Sequence, residues 1–202
     1  AGDLMLCGKY MDVPGIDKIG GDRPAELFYK VVSSSAANWD KRLVMSETFG
    51  AMGNIPVREL YTIAMEQYTK GINQLIPHAV WYNDADVTFL PELSYRNPLY
   101  NEALPAFNRF LARLNYLLQP EGRTVADIAM LYPIETLQAG HYLDGPEGYY
   151  AGGVKLPGTD YIRVAAMLSD TLARDFTYLH PEVLARCPAG RGMLHLDNKV
   201  NH

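Results

Sequence analysis

Between Arg42 and Ala79 the chain alternates two kinds of segment, and this alternation limits its fold more than any other stretch. The apolar run Arg42-Leu43-Val44-Met45 closes on Ser46 and Glu47, and a turn with Gly50, Gly53, Asn54 and Pro56 follows. Residues 57–71 then set Leu60, Ile63, Ala64 and Tyr68 at helical spacing, with Gly71 as the terminating glycine. Asn73-Gln74-Leu75-Ile76-Pro77-His78-Ala79 is a second short apolar run ending in polar and ring-bearing residues. A strand, a small-residue loop, an amphipathic helix and another strand form a β-α-β unit. The helix returns the chain to the end where it started, so the two strands run parallel.

The flanking segments extend this pattern. Leu4 to Tyr10 reads as a short buried strand, followed by a loop through Asp12, Pro14, Gly15 and Asp17 and then Gly20-Gly21-Asp22. Residues 24–37 predict a helix with Leu27, Phe28, Val31 and Val32 on one side. Its run Ser33-Ser34-Ser35-Ala36-Ala37 is small enough to pack closely on a sheet. A loop over 81–101, rich in Asp, Pro, Tyr and Asn, leads to a helix over 102–118; loops of that length in compact domains are functional or disordered. Pro120-Glu121-Gly122-Arg123 breaks the pattern and is the candidate domain boundary. Beyond it the sequence predicts a strand over 125–132, a glycine-rich loop over 133–158 and a helix over 160–175. A short extended segment at 176–179, a short helix from His180 and a strand over 193–196 complete it. This second half reads as the opening of a flavodoxin-like α/β layer. Both ends cut through strand-like runs, so the chain is expected to be a piece of a longer protein.

Composition narrows the function classes. A net charge of −5 with scattered Lys and Arg argues against a nucleic-acid surface. No stretch approaches the roughly 18 consecutive apolar residues of a membrane span. Cys7 and Cys187 stand far apart and in no metal-type spacing, so buried thiols are expected rather than a disulfide or zinc site. No phosphate-cradling glycine loop follows a strand, and there is no Gly-x-Ser-x-Gly elbow.

In a parallel sheet the strand tips share one edge, so residues distant in sequence converge there. The first expected tip brings Lys9, Tyr10, Asp12 and Asp17, the second Ser46 and Glu47, and the third His78, Trp81, Tyr82 and Asn83. Hydrolysis of a glycosidic bond needs two carboxyl groups, one acid and one base or nucleophile. Glu47 supplies one. Asp12 and Asp17 are candidates for the second or for binding substrate hydroxyls, although Asp in a Pro-Gly loop also makes turns. Asp84, Asp86 and Glu92 in the long loop are candidates for a sugar or a cation, against a solvated loop as the plain alternative. His78, Trp81, Tyr82 and Asn83 are candidate sugar contacts.

Val44-Met45-Ser46-Glu47-Thr48-Phe49-Gly50-Ala51 and Gly71-Ile72-Asn73-Gln74-Leu75-Ile76-Pro77-His78-Ala79 together resemble bacterial barrel glycoside hydrolases. The resemblance is greatest to the α-L-rhamnosidase-type enzymes of glycoside hydrolase family 106 and related polysaccharide-degrading proteins. Val13-Pro14-Gly15-Ile16-Asp17, Pro91-Glu92-Leu93-Ser94 with Asn97-Pro98, and Ala126-Asp127-Ile128-Ala129-Met130-Leu131-Tyr132-Pro133 support it, so it covers most of the chain. It implies an α/β fold in which 1–119 are the last three βα units of a (β/α)8 barrel and 124–202 begin a flavodoxin-like domain. It also implies that Glu47 ends the seventh strand as nucleophile or base and that His78 ends the eighth and contacts the sugar. The general acid would come from an earlier strand. No organic cofactor is expected; a calcium ion near the site is what such enzymes carry, with no ligands assigned. A periplasmic or secreted location goes with the same resemblance.

Three βα units cannot close a barrel and leave an open sheet edge. A second copy or a further segment is therefore the expected partner, beside the carbohydrate substrate. Two other functions remain open: a non-catalytic carbohydrate-binding or assembly fragment, and a flavin or nucleotide binder using the second half.

Overall fold

A computed structural model describes residues 2–20, 28–119, 125–139 and 160–196. The elements run α1 (Leu4–Lys9), β1 (Gly15–Lys18), α2 (Phe28–Asn38), β2 (Met45–Thr48), α3 (Val57–Thr69), β3 (Gln74–Pro77), α4 (Leu104–Leu118), β4 (Ile128–Leu131) and α5 (Ile134–Ala139). They continue with α6 (Tyr161–Ala166), extended by a π-helical turn at Met167–Thr171, then β5 (Phe176–Leu179), α7 (Pro181–Leu184), β6 (Ala189–Gly190) and β7 (Met193–Leu194). The fold is mixed α/β with short parallel strands. None of the described helices is long and apolar enough to cross a membrane. The expected helix start at 24–27, the break at 120–123 and most of the glycine-rich loop lie outside the described residues.

The chain forms two compact units. One contains Gly15–Asp22 and Leu43–Gly122; the other contains Ala1–Pro14, Arg23–Arg42 and Arg123–His202. Ala1–Pro14 and Arg23–Arg42, expected within an N-terminal domain over 1–119, thus cluster with the C-terminal residues.

In the first unit β1, β2 and β3 form a parallel sheet in chain order, with Asp17 opposite Glu47 and Glu47 opposite Ile76. Side chains alternate between the two faces of a strand. Ser46, Thr48 and Leu75 occupy a buried face. Helix α3 covers it with Leu60, Ile63, Ala64, Gln67 and Tyr68, all buried and spaced to lie on one side of a helix. The contact is partly polar: Gln67 Nε2 donates to Thr48 Oγ1 at 3.2 Å, and Ser46 Oγ lies 3.0 Å from the same hydroxyl. Helix α4 packs Phe107 edge-on to Phe49 and Tyr61, with ring centroids 6.0 and 5.0 Å apart. The Tyr68 hydroxyl donates to Asn115 Oδ1 at 2.6 Å, and burial pushes its pKa up to about 12. On the other face of the sheet, Asp17 and Ile76 are exposed and Met45, Glu47 and Gln74 are half-buried.

In the second unit β4 and β5 pair in parallel above a ring-rich core. Tyr132, Tyr161, Phe176 and Tyr178 meet edge-on or tilted at 5.1–6.2 Å between centroids, joined by Met5, Val31, Ile134 and Ala165. Helix α2 uses its small polar residues as donors and acceptors. Ser34 Oγ accepts from Tyr178 N (2.9 Å), Asn38 Nδ2 donates to Tyr178 O (2.7 Å), and Asn38 Oδ1 accepts from His180 N (2.9 Å). The buried Lys30 ammonium pairs with Asp175 at 2.7 Å.

Several expectations are overturned. Cys7, expected to be a buried thiol, is exposed on α1, and Cys187 is half-buried. Ile134–Ala139, expected within the glycine-rich loop, is helical. Leu4–Lys9 is a helix, because Asp3 Oδ1 accepts the Leu6 N–H at 2.9 Å and caps it, while Gly8 lets it approach α2. A Cβ at Gly8 would lie 2.1 Å from Ser35 Oγ. The loop expected over Asp12–Asp17 contains a strand, β1, whose partner β2 lies about thirty residues on. Strand β2 also starts later than the expected Arg42–Ser46, so Glu47 lies inside it.

Candidate functional site

The C-terminal ends of β1, β2 and β3 share one edge of the first unit's sheet, since the strands are parallel and in register. Asp17 and Glu47 each sit one residue before the end of their strand, and His78 follows directly after β3. The His78 N–H donates to Thr48 O at 2.8 Å, continuing the ladder beyond β3. Asp17, Glu47 and His78 are therefore brought to one rim. In the sheet Asp17 is exposed and Glu47 half-buried.

Directly after Glu47 and Thr48 the backbone turns sharply. Phe49, fully buried, has φ 84°, and Ala51 has φ 57°. A bulky residue in this region costs about 1–3 kcal/mol, and such conformations cluster at functional sites. The turn is fixed by Phe49 N donating to Lys18 O (3.1 Å) and Gly20 N to Gly50 O (2.7 Å). Gly50 then clears space for the imidazole: a Cβ there would stand 3.0 Å from His78 Cγ and 3.2 Å from His78 Nδ1. His78 Nδ1 is buried and has no hydrogen-bond partner among the described residues. The ring also meets Trp81, edge-on, with centroids 5.2 Å apart. The His78–Ala79 peptide is cis.

The long loop is built around Arg96. Its Nη2 donates to Trp81 O at 2.6 Å and its Nη1 to Tyr82 O at 3.4 Å. Its Nε donates to Glu92 Oε1 at 3.2 Å, and Nη2 makes a shorter bond to the same oxygen. Hydrogen bonding to Glu92 pushes the Arg96 pKa further above its usual value. Leu93 N donates to Ala79 O (2.8 Å), Asn97 Nδ2 to Glu92 O (2.9 Å) and Tyr100 OH to Ile55 O (2.8 Å). Tyr82 projects a fully exposed ring.

Several candidates fall elsewhere. Glu92 is buried and ion-paired, so it is not an open sugar or cation ligand; Asp84 lies 3.9 Å from Arg96. Asn83 Oδ1 accepts from Ala85 N at 2.7 Å, closing a local turn. Asp12 and Tyr10 are exposed in the unit that contains α1. Lys9, in that same unit, donates to Glu182 Oε1 at 2.6 Å and holds that carboxyl below the usual range. Because Leu4–Lys9 is a helix, Lys9 and Tyr10 sit at no parallel-strand tip. Among the described residues no group of three or more His, Cys, Asp or Glu side chains is arranged to hold a metal ion. Sequence reasoning missed Gly50 and Arg96. The signal for Gly50 was a glycine directly after a strand that ends in functional groups; Arg96 had only the Glu92–Arg96 spacing.

No family model matches the chain. No curated protein matches it either. The reading of the site rests on its own geometry and on the motifs around Glu47 and His78.

Proposed function

We propose that this chain is part of a glycoside hydrolase acting on plant or algal polysaccharide, of the α-L-rhamnosidase-like kind. The observation that carries the reading is the pairing of Asp17 with Glu47 on adjacent parallel strands, beside the His78–Trp81 rings at the same rim. Strand order following chain order supports a partial (β/α) barrel, in which consecutive strands are neighbours; a doubly wound sheet reverses order at a switch point. On this reading the helix-covered face is the outside of the barrel and the face bearing Asp17 and Glu47 is its interior. The second unit's parallel β4–β5 pair is the start of a flavodoxin-like layer.

Glycoside hydrolysis passes through an oxocarbenium-like state, so the site needs a carboxylate beside the anomeric carbon. Glu47 serves as that group, as nucleophile or as base for water. Asp17, exposed beside it, accepts hydrogen bonds from sugar hydroxyls. His78 and Trp81 supply an imidazole and an apolar ring edge to the sugar. Glu47→Gln tests the reading on a panel of aryl-glycosides that includes α-L-rhamnoside. Loss of at least about a hundredfold in rate is expected for removal of a positioned acid or base; unchanged hydrolysis overturns it. Native mass measured alongside reports whether a second copy or another segment completes the barrel.

A second reading, a non-catalytic carbohydrate-binding fragment, is favoured by the fully exposed Tyr82 ring. It expects saturable sugar binding without turnover, lost on Trp81→Ala or Tyr82→Ala.

A further inference from the structure

We propose that Arg96 is a positioning residue that holds Trp81 against His78, so that the aromatic wall of the rim is formed before any ligand arrives. The sugar part of this inference rests on the function proposed above; the positioning part does not.

The guanidinium ties together two stretches of one loop. It donates to the peptide oxygens of Trp81, whose ring meets His78, and of the exposed Tyr82, and to the carboxylate of the buried Glu92. The segment carrying Glu92 is anchored in turn, since Leu93 N donates to Ala79 O and Asn97 Nδ2 to Glu92 O. Ala79 is the residue after His78. The loop therefore leaves the imidazole, passes Trp81 and Tyr82, and returns to bond beside its own start, with one planar fork at its centre.

Only arginine suits this role. Its donors lie in a fixed plane and can address a carboxylate and two carbonyls together, whereas a lysine ammonium is a compact point donor. Without the fork, Glu92 would be a buried carboxylate lacking its counter-charge. The bonds end on Trp81 and Tyr82, so loosening them moves ring positions at the rim. A binding wall displaced by about 1 Å no longer orients a ligand as the parent does.

The test uses the chain labelled with 5-fluorotryptophan. Its two tryptophans, Trp39 and Trp81, give two fluorine resonances, assigned with Trp81→Phe. Arg96→Lys keeps the charge beside Glu92 and favours a folded product. The expected result is a shifted or broadened Trp81 resonance and an unmoved Trp39 resonance, which serves as internal control for folding. In Arg96→Ala, millimolar methylguanidinium should return the Trp81 signal toward its parent position. On an aryl-glycoside turned over by the parent, KM should rise about tenfold with kcat changed less than about twofold, the pattern of lost binding orientation. An unmoved Trp81 resonance in Arg96→Lys overturns the proposal. A shifted Trp81 resonance in a chain whose parent binds no sugar upholds the positioning role and removes the glycosidase reading.

Discussion

Asp17 and Glu47 are Cα partners on neighbouring parallel strands, so their side chains leave the same face of the sheet, one strand spacing apart. Strands lie about 4.8 Å apart, which places both carboxyl groups within reach of one sugar ring. On the glycosidase reading proposed above, Asp17→Asn should raise KM for an aryl-glycoside by about tenfold while kcat changes less, since a hydroxyl acceptor contributes to ground state and transition state alike. Steady-state kinetics separates this from Glu47→Gln, whose loss lies in kcat. Equal losses of kcat in both variants would instead make Asp17 a participant in the chemistry.

Gly50→Ala should destabilise the protein by about 1–3 kcal/mol, the usual cost of overpacking. The added methyl would press on His78 Cγ at 3.0 Å and on Ile19 Cγ2 at 3.2 Å. Urea denaturation gives the stability change. Trp81, edge-on to the displaced imidazole, should report the shift in its emission.

The polar contact between α3 and β2 makes a third case. Thr48→Val alone strands the Gln67 amide in a buried setting, and an unsatisfied buried group costs about 1–3 kcal/mol. Gln67→Leu alone leaves Thr48 only its partners on β2. The double variant should be less destabilised than the sum of the single ones, and a denaturant-based double-mutant cycle measures that coupling.

Tyr68 gives a pH dependence with a definite sign. Burial holds its pKa at about 12 in the folded chain, against the ordinary tyrosine value of about 10 once unfolded. Below pH 10 both states keep the proton and its contribution is full. As pH rises from 10 to 12 only the unfolded state releases the proton, so stability falls across that window. Tyr68→Phe should lose this component of the slope, read as the difference between parent and variant urea midpoints at pH 9 and pH 11.5.

Much of the sheet unit was legible because its signals are local. Leu60, Ile63, Ala64 and Tyr68 repeat at helical spacing, and the apolar runs on either side leave little but a β-α-β reading. Leu4–Lys9 was not legible, since a short apolar run suits either a strand or one helical turn and a half. The Asp3 cap decides it. Strand β1 was hidden behind Pro14, Gly15 and Asp17, which also make turns; only pairing with distant β2 fixes it as extended. Of the rim residues, Glu47 and His78 could be placed from the ends of apolar runs. The burial of Glu92 could not, because its counter-charge lies in the same irregular loop and charge in a loop reads as solvated.

The bonds from Ser34 and Asn38 to Tyr178 and His180 have a consequence for the fate of the protein in solution. They occupy the Tyr178 peptide groups, on the side of β5 away from β4, and the His180 N–H just beyond, where a strand from another molecule would template itself. A helix here does the work of an adjoining strand with side-chain amide and hydroxyl groups, which cannot propagate a ladder. The polar groups of α2 thus leave that stretch of β5 no free peptide groups at Tyr178 for an incoming strand.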